Sequence, residues 1–127
     1  MQRRDVFRVR TPVAQPVLCL VNTGGQEVAL PLDDIGAGGV GLFDDAGTLD
    51  PTVGKVYRAC RLELPEIGSV PVDLRVAQAR EVTLPNGRVR QRLGFAYEGH
   101  NARAQQLIQR YVIQLEREAI ARRRGLA

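Results

Sequence analysis

The sequence has few of the side chains on which enzymes and metal sites depend. Its 127 residues include two cysteines, one histidine and no tryptophan. A structural zinc site needs about four ligands, and His100 is the one histidine available to serve as a base for a nucleophile. Three Phe and three Tyr leave little for the stacking platform of a protein that binds single-stranded nucleic acid. These absences argue against an enzyme, a metalloprotein and a nucleic-acid-binding domain, so we expect no catalytic residue and no metal ligand.

Long apolar segments are also missing. No run approaches the ~20 residues that a membrane-spanning helix needs, and charged residues follow Met1 where a signal peptide would be apolar. We therefore expect a cytoplasmic protein without a membrane span. A hydrophobic content of 44% with 25% charged residues is typical of a globular chain, and 127 residues suit a single domain. Cys19 and Cys60 each lie in an apolar, strand-like run, which predicts buried, reduced thiols.

Positive charge is concentrated at the two ends of the chain. The formal net charge is +4. Residues 1–10 contain four arginines and one aspartate, and residues 122–124 are three more arginines, so the sequence between them has a small net negative charge. A protein that binds a DNA duplex more often has a basic face across the body of the domain. Charge concentrated at an end instead fits a small anionic ligand.

Alternation of apolar and polar residues predicts strands over most of the chain. Within residues 69–80 every second residue from Val70 to Val76 is apolar, and Gln78 continues the same row. Turns that contain asparagine and glycine separate several of the strands. The predicted strands are 17–21, 28–32, 40–43, 55–64, 69–80 and 88–97.

The period of the pattern changes after Asn101, a residue type suited to a helix N-cap. From Leu107 to Ile120 apolar residues recur every three or four positions, which predicts an amphipathic helix. Arg122–Arg124 suit the C-terminal end of the helix dipole, and Gly125 ends the helix. We predict one mainly β domain over 1–127, with a basic segment at 1–10, a small six-stranded, antiparallel, Greek-key-like barrel at 11–98 and a C-terminal helix at 101–124.

The basic segment has the residues of an anion site. Arg4 and Arg8 stand four residues apart, and Arg3 precedes them. The planar guanidinium group donates two parallel hydrogen bonds, stays charged and stacks on aromatic rings, so it suits phosphates and guanine edges. In an extended chain, Phe7 and Val9 would anchor one face and leave the arginines free. The alternative is a solvated basic terminus.

Residues 33–39 have the composition of a glycine-rich loop between two strands. Gly36 to Gly41 formally match the G-x-G-x-x-G of dinucleotide-binding folds, but that site requires a helix to begin in the loop, and the sequence here continues as a strand. Glycines can adopt positive φ angles and leave N–H groups free for phosphate oxygens. The carboxylate of Asp34 suits the N–H donors of a guanine.

Together these residues predict a pocket for a phosphorylated guanine compound. Arg4 and Arg8 would bind phosphates or the guanine acceptors, Asp34 the guanine donors, and the backbone of 36–39 a phosphate. The alternative is a tight β-turn beside a solvated aspartate.

Both motifs resemble those of the PilZ family, the bacterial receptors for cyclic di-GMP. The family has R-x-x-x-R near the start of its barrel and [D/N]-x-S-x-x-G between two strands. Arg4 to Arg8 match the first signature, and Asp34 to Gly39 match the second at the acidic residue and the last glycine, while Gly36 stands at the serine position. Residues 93–97 and 107–118 are similar to the last strand and helix of the flagellar-brake (YcgR-like) branch, which implies its C-terminal PilZ domain.

The resemblance implies a non-enzymatic receptor that needs no cofactor and acts in motility or surface behaviour. It implies cyclic di-GMP as ligand, a flagellar motor or switch protein or another protein effector as partner, and a monomer or a ligand-dependent dimer. The basic segment would then be the switch that closes on the ligand. Gly36 implies weaker binding, and the alternative is a degenerate PilZ domain that binds only proteins. The implied ligand-binding residues are Arg3, Arg4, Arg8, Asp34, Gly36, Gly38 and Gly39.

Overall fold

Over residues 8–125, the part of the chain that the computed structural model describes, the protein forms seven strands and one helix. In chain order they are β1 (Arg8–Arg10), β2 (Leu18–Asn22), β3 (Glu27–Gly36), β4 (Gly39–Phe43), β5 (Val56–Leu64), β6 (Gly68–Thr83), β7 (Val89–Glu98) and α1 (Ala102–Arg123).

Strands β2 to β7 form a closed antiparallel barrel. They pair in the order β3-β2-β5-β6-β7-β4, and pairing of β3 with β4 closes the ring. The length of β3 allows this closure, because residues 27–31 pair with β2 while residues 32–35 pair with β4. Strand β1 pairs antiparallel with residues 34–36 of β3. The mainly β fold, the six-stranded barrel and the C-terminal helix predicted from the sequence are confirmed.

Most of the predicted loop at 33–39 is strand. β3 continues through Asp33 and Asp34 to Gly36, and only Ala37 and Gly38 form the turn into β4. Aspartate is depleted in strands, so the sequence pattern favoured a loop. In the structure β1 and β4 hold the backbone of this segment on both sides, and arginines of other strands bind the two carboxylates.

The glycines of this turn do not need the left-handed conformation expected from the sequence. Positive φ angles occur at glycines elsewhere, as at Gly24 and Gly87 in the predicted hairpin turns. Gly36, Gly38 and Gly39 are not among the described residues with positive φ. Gly36 and Gly39 are buried strand residues. A requirement for glycine at these positions therefore comes from the lack of space for a side chain and not from the φ angle.

The alternation along β6 reverses at a β-bulge. Pairing with β7 shifts register between Val76 and Gln78. Val76 is fully buried, whereas Gln78 and Arg80 are exposed and Ala79 packs against the core. The prediction that Gln78 continues the apolar row is wrong, because the extra residue of the bulge moves the following side chains to the opposite face.

Helix α1 begins and ends close to the predicted positions. The Asn101 side chain accepts a hydrogen bond of 3.1 Å from the backbone N–H of Ala104, so Asn101 is the N-cap. Arg123 is the last helical residue, and Gly125 follows with a φ of 72°. The helix packs next to β1, β3 and β6. Among the described residues, no helix is long and apolar enough to cross a membrane. The buried side chains of α1 are Ala104, Ile108, Tyr111, Val112 and Leu115.

Both cysteines face the interior of the barrel. Cys19 and Cys60 are fully buried and form no disulfide, so the prediction of buried, reduced thiols is confirmed. Burial raises the pKa of each thiol, because the thiolate would lose its hydration.

We expect both thiols to be unreactive in the folded protein, since burial and a raised pKa both suppress the thiolate that attacks a disulfide reagent. Ellman's reagent at mildly alkaline pH should therefore react slowly with the native protein and stoichiometrically in guanidinium chloride. A Thr23→Cys variant, with the new thiol in an exposed turn, is the positive control. Rapid reaction of the native wild-type protein would show that the barrel opens at one of these positions.

Candidate functional site

Two of the sequence-predicted site residues form an ion pair on the outer face of the barrel. Arg8 of β1 lies opposite Gly36 of β3. Its Nη1 is 3.3 Å from Oδ1 of Asp34, and the two side chains are only 24% and 16% exposed. Arg3 and Arg4 lie outside the described residues.

Tyr97 of β7 holds the predicted glycine turn next to this pair. Its hydroxyl donates to the carbonyl oxygen of Gly36 at 2.9 Å, and its backbone N–H donates to the carbonyl oxygen of Gly38 at 3.2 Å. Burial raises the pKa of the Tyr97 hydroxyl, so it remains a donor across the neutral range. The turn is therefore fixed to the barrel wall at two points.

Gly39 has no room for a side chain. A Cβ atom at this position would collide with the backbone carbonyl of Phe95 and lie 3.0 Å from Nη2 of Arg8. The glycine thus lets β4 approach β7 closely and leaves space for the guanidinium group of Arg8.

A β-bulge brings two carboxylates to the same outer face. The pairing of β3 with β4 shifts register between Leu32 and Asp34. Leu32 and Ile35 are both buried in the core, so the bulge leaves Asp33 and Asp34 together on the outside. Nε of Arg10 in β1 is 3.4 Å from Oδ1 of Asp33.

Arg92 of β7 binds both carboxylates from the opposite side. Its Nη2 is 2.7 Å from Oδ2 of Asp34 and 3.4 Å from Oδ2 of Asp33. The side chain is only 11% exposed. The two oxygens of Asp34 therefore have separate partners, Oδ1 with Arg8 and Oδ2 with Arg92.

Gly41 gives Arg92 its path to Asp34. Strand β4 lies between β7 and β3, with Gly41 directly opposite Asp34. A Cβ atom at Gly41 would collide with the guanidinium group of Arg92 and lie 2.6 Å from Oδ1 of Asp34. Any side chain at this position would separate the ion pair.

Sequence reasoning missed Arg92 and the role of Gly41. The alternation within residues 88–97 indicates an apolar row that contains Leu93 and Phe95, and it gives no role to the side chains of the opposite row. An arginine in that outward row, on a strand that pairs with a glycine-rich strand, was the available signal. The pairing itself joins residues 58 positions apart, so only the folded barrel reveals it.

These side chains surround an open depression with a volume of about 540 Å³. Its four guanidinium groups and two carboxylates give a net charge of +2, which suits a polyanion. The carboxylates add acceptors for N–H donors of the same ligand. Within residues 8–125 no group of His, Cys, Asp or Glu is arranged to hold a metal ion. The lining residues are Arg8, Arg10, Arg80, Arg92, Asp33, Asp34 and Gln78.

Comparison with known proteins gives a consistent result. The family described as "PilZ domain" matches residues 2–114. A flagellar brake protein YcgR of Janthinobacterium sp. (strain Marseille) is 38% identical over 99% of the chain, which covers 52% of that protein. A protein of the same name from Thiobacillus denitrificans is 37% identical over 92% of the chain, which covers 48% of it. The chain thus spans about half the length of these curated relatives.

Solved structures share the fold at low sequence identity. The PilZ domain of Escherichia coli YcgR, solved with c-di-GMP, has a TM-score of 0.77 at 22% identity and covers 99% of the chain and 100% of the domain. The K. pneumonia MrkH–c-di-GMP complex has a TM-score of 0.83 at 21% identity, over 96% of the chain and 56% of MrkH. With a family match over most of its length and relatives well above 30% identity, the chain belongs to the PilZ domain family.

Proposed function

We propose that the chain is a non-enzymatic receptor domain for cyclic di-GMP and that the ligand binds in the depression next to Arg8 and Asp34. The observation that carries the proposal is the ion pair between these two residues, one from each family signature, in an open and positively charged depression. Membership of the PilZ family and the c-di-GMP bound to YcgR and MrkH give independent support.

Each predicted residue has a chemical role in this proposal. Arg8, together with Arg3 and Arg4, binds phosphates and the O6 and N7 acceptors of guanine. Asp34 accepts from the N1–H and N2–H donors of the base, which only a guanine presents together. Gly38, which is exposed in the turn, offers its backbone N–H to a phosphate, and Gly36 and Gly39 end the two strands beside it without adding side chains.

Because Asp34 is shared between two arginines, Arg8 can leave it to bind a ligand at a small cost in free energy. When Arg8 turns to a phosphate, Arg92 still binds Asp34 at 2.7 Å. Removing both cations would leave a shielded carboxylate without a partner, which is strongly unfavourable. With Arg92 in place, ligand binding exchanges one charged partner of Arg8 for another.

The wider biological role is proposed from the relatives. Flagellar brake proteins are similar to the chain over 92–99% of its length, so we propose a cytoplasmic effector that controls motility through a flagellar motor or switch protein. The switch role of residues 1–10 stays a prediction, because only Arg8–Arg10 of that segment is described, as strand β1. Hydrogen exchange on amides 3–9, with and without ligand, tests it; equal protection in both states argues against it.

A second candidate is a PilZ domain that binds proteins and no nucleotide. Gly36 at the serine position favours it, because a lost hydroxyl bond to a phosphate would weaken binding by about 1.5–3 kcal/mol if nothing replaced it. A titration of the wild-type domain separates the two candidates, since only the first predicts heat of binding with cyclic di-GMP.

We expect the wild-type domain to bind cyclic di-GMP in isothermal titration calorimetry and Arg8→Ala to bind at least about tenfold more weakly, because charge-assisted hydrogen bonds contribute about 1.5–3 kcal/mol each. Binding should also weaken as salt rises, since phosphate contacts are partly Coulombic.

The matched control is Arg110→Ala, which removes the same charge from an exposed position on α1. If Arg8→Ala binds as tightly as this control, the role assigned to Arg8 is wrong.

A second prediction concerns the path of Arg92 over β4. Gly41→Ala should weaken ligand binding roughly tenfold, because it separates Arg92 from Asp34, and Asp34 then loses its remaining arginine when Arg8 turns to the ligand. Arg92→Ala should weaken binding to a similar extent. In the double variant the two losses should not add, since each breaks the same ion pair. Calorimetry on the wild type, the two single variants and the double variant measures the coupling between positions 41 and 92, and thermal unfolding checks that each protein folds. Fully additive losses of affinity would contradict the path of Arg92 over Gly41.

A further inference from the structure

The wall of the depression opposite Arg8 carries two exposed side chains that neither family signature includes. Gln78 and Arg80 of β6 line the same depression as Arg8 and Asp34. They belong to a strand that is separated from β1 and β3 by β7 and β4.

The bulge in β6 is the reason these side chains face the depression. Without the register shift after Val76, the alternation of the strand would bring Gln78 and Arg80 to the core face. With it, Ala79 packs inward, and the amide and the guanidinium group lie outside. Bulges are frequent next to functional sites, where they redirect a side chain.

Arg80 lies directly opposite Arg92 in the pairing of β6 with β7. Like charges at directly opposite positions destabilise a sheet. The charge of Arg92 is compensated by Asp34 and Asp33. Among residues 8–125, no carboxylate lies within ion-pair distance of Arg80. The fold thus keeps a second cation directly opposite Arg92, where it lines the depression.

Arg92 lies between the two walls. Its guanidinium group passes over Gly41 of β4 to reach Asp34, and it lines the depression together with Arg80 and Gln78. On β7, Gly94 lies directly opposite Gln78 and adds no side chain, so a ligand beside Arg92 can contact both walls at once. The described side chains around the depression carry a net charge of +2, which suits a ligand with phosphodiester groups.

We propose that Arg80, assisted by Gln78, binds a second phosphodiester group of the nucleotide whose first contacts are made by Arg8 and Asp34. This inference rests on the function proposed above and adds a contact on the far wall. The guanidinium group supplies two parallel donors to the phosphate oxygens, and the amide of Gln78 supplies one more.

Titration of the wild-type domain and three variants with cyclic di-GMP at several salt concentrations tests the assignment. Arg80→Ala should bind roughly tenfold more weakly, and its affinity should depend less steeply on salt, because one phosphate contact is lost. Its thermal unfolding midpoint should be unchanged or higher, since the repulsion with Arg92 is relieved. Arg80→Lys should retain most of the salt dependence while losing part of the affinity.

The matched control is Arg88→Ala, which removes one arginine from the exposed turn of the same β6–β7 hairpin. If Arg80→Ala has the same affinity and the same salt dependence as this control, the inference is overturned. The proposed function survives that result if Arg8→Ala still loses binding. Absence of binding by the wild-type domain overturns both.

Discussion

The carboxylate of Asp34, shared between Arg8 and Arg92, is the interaction on which the outer face of the barrel depends. It joins β1, β3 and β7 across β4, so strands that are distant in the sequence meet at one charged group. All three side chains are less than one quarter exposed. Partly shielded charges of this kind are stable only as a compensated set. The set therefore fixes the position of the acidic residue before any ligand arrives, and it keeps Arg8 beside the depression.

The glycines around this set follow from the same constraint. Gly39 leaves room for Arg8 and for the close approach of β4 to β7, and Gly41 leaves room for Arg92. Neither has a positive φ angle, so substitution there fails through collision and not through backbone strain. At Gly36 the strand backbone likewise lies outside the left-handed region. A serine at that position would meet no backbone penalty of this kind.

Local patterns in the sequence were sufficient to predict the six strands of the barrel, though not the full length of β3, and to predict the helix with its Asn101 cap. The family signatures also pointed to Arg8 and Asp34, which the structure places 3.3 Å apart. Two features were out of reach. The aspartates resembled loop residues because Arg92, their shared partner on β7, is almost 60 positions away. The bulge after Val76 depends on pairing with β7, and alternation within β6 alone predicted the wrong face for Gln78.

The central claim is that Asp34, held by two arginines, reads the base of the ligand. The direct test is the ratio of affinities for cyclic di-GMP and cyclic di-AMP, measured by calorimetry for the wild-type domain and for Asp34→Ala. Both nucleotides have the same phosphates, so general damage to the site lowers both affinities together. We expect a ratio of at least about tenfold in the wild type, in line with one lost charge-assisted hydrogen bond, and a clear fall of the ratio in the variant, which has no acceptor for the guanine donors. A ratio that Asp34→Ala leaves unchanged would contradict the claim.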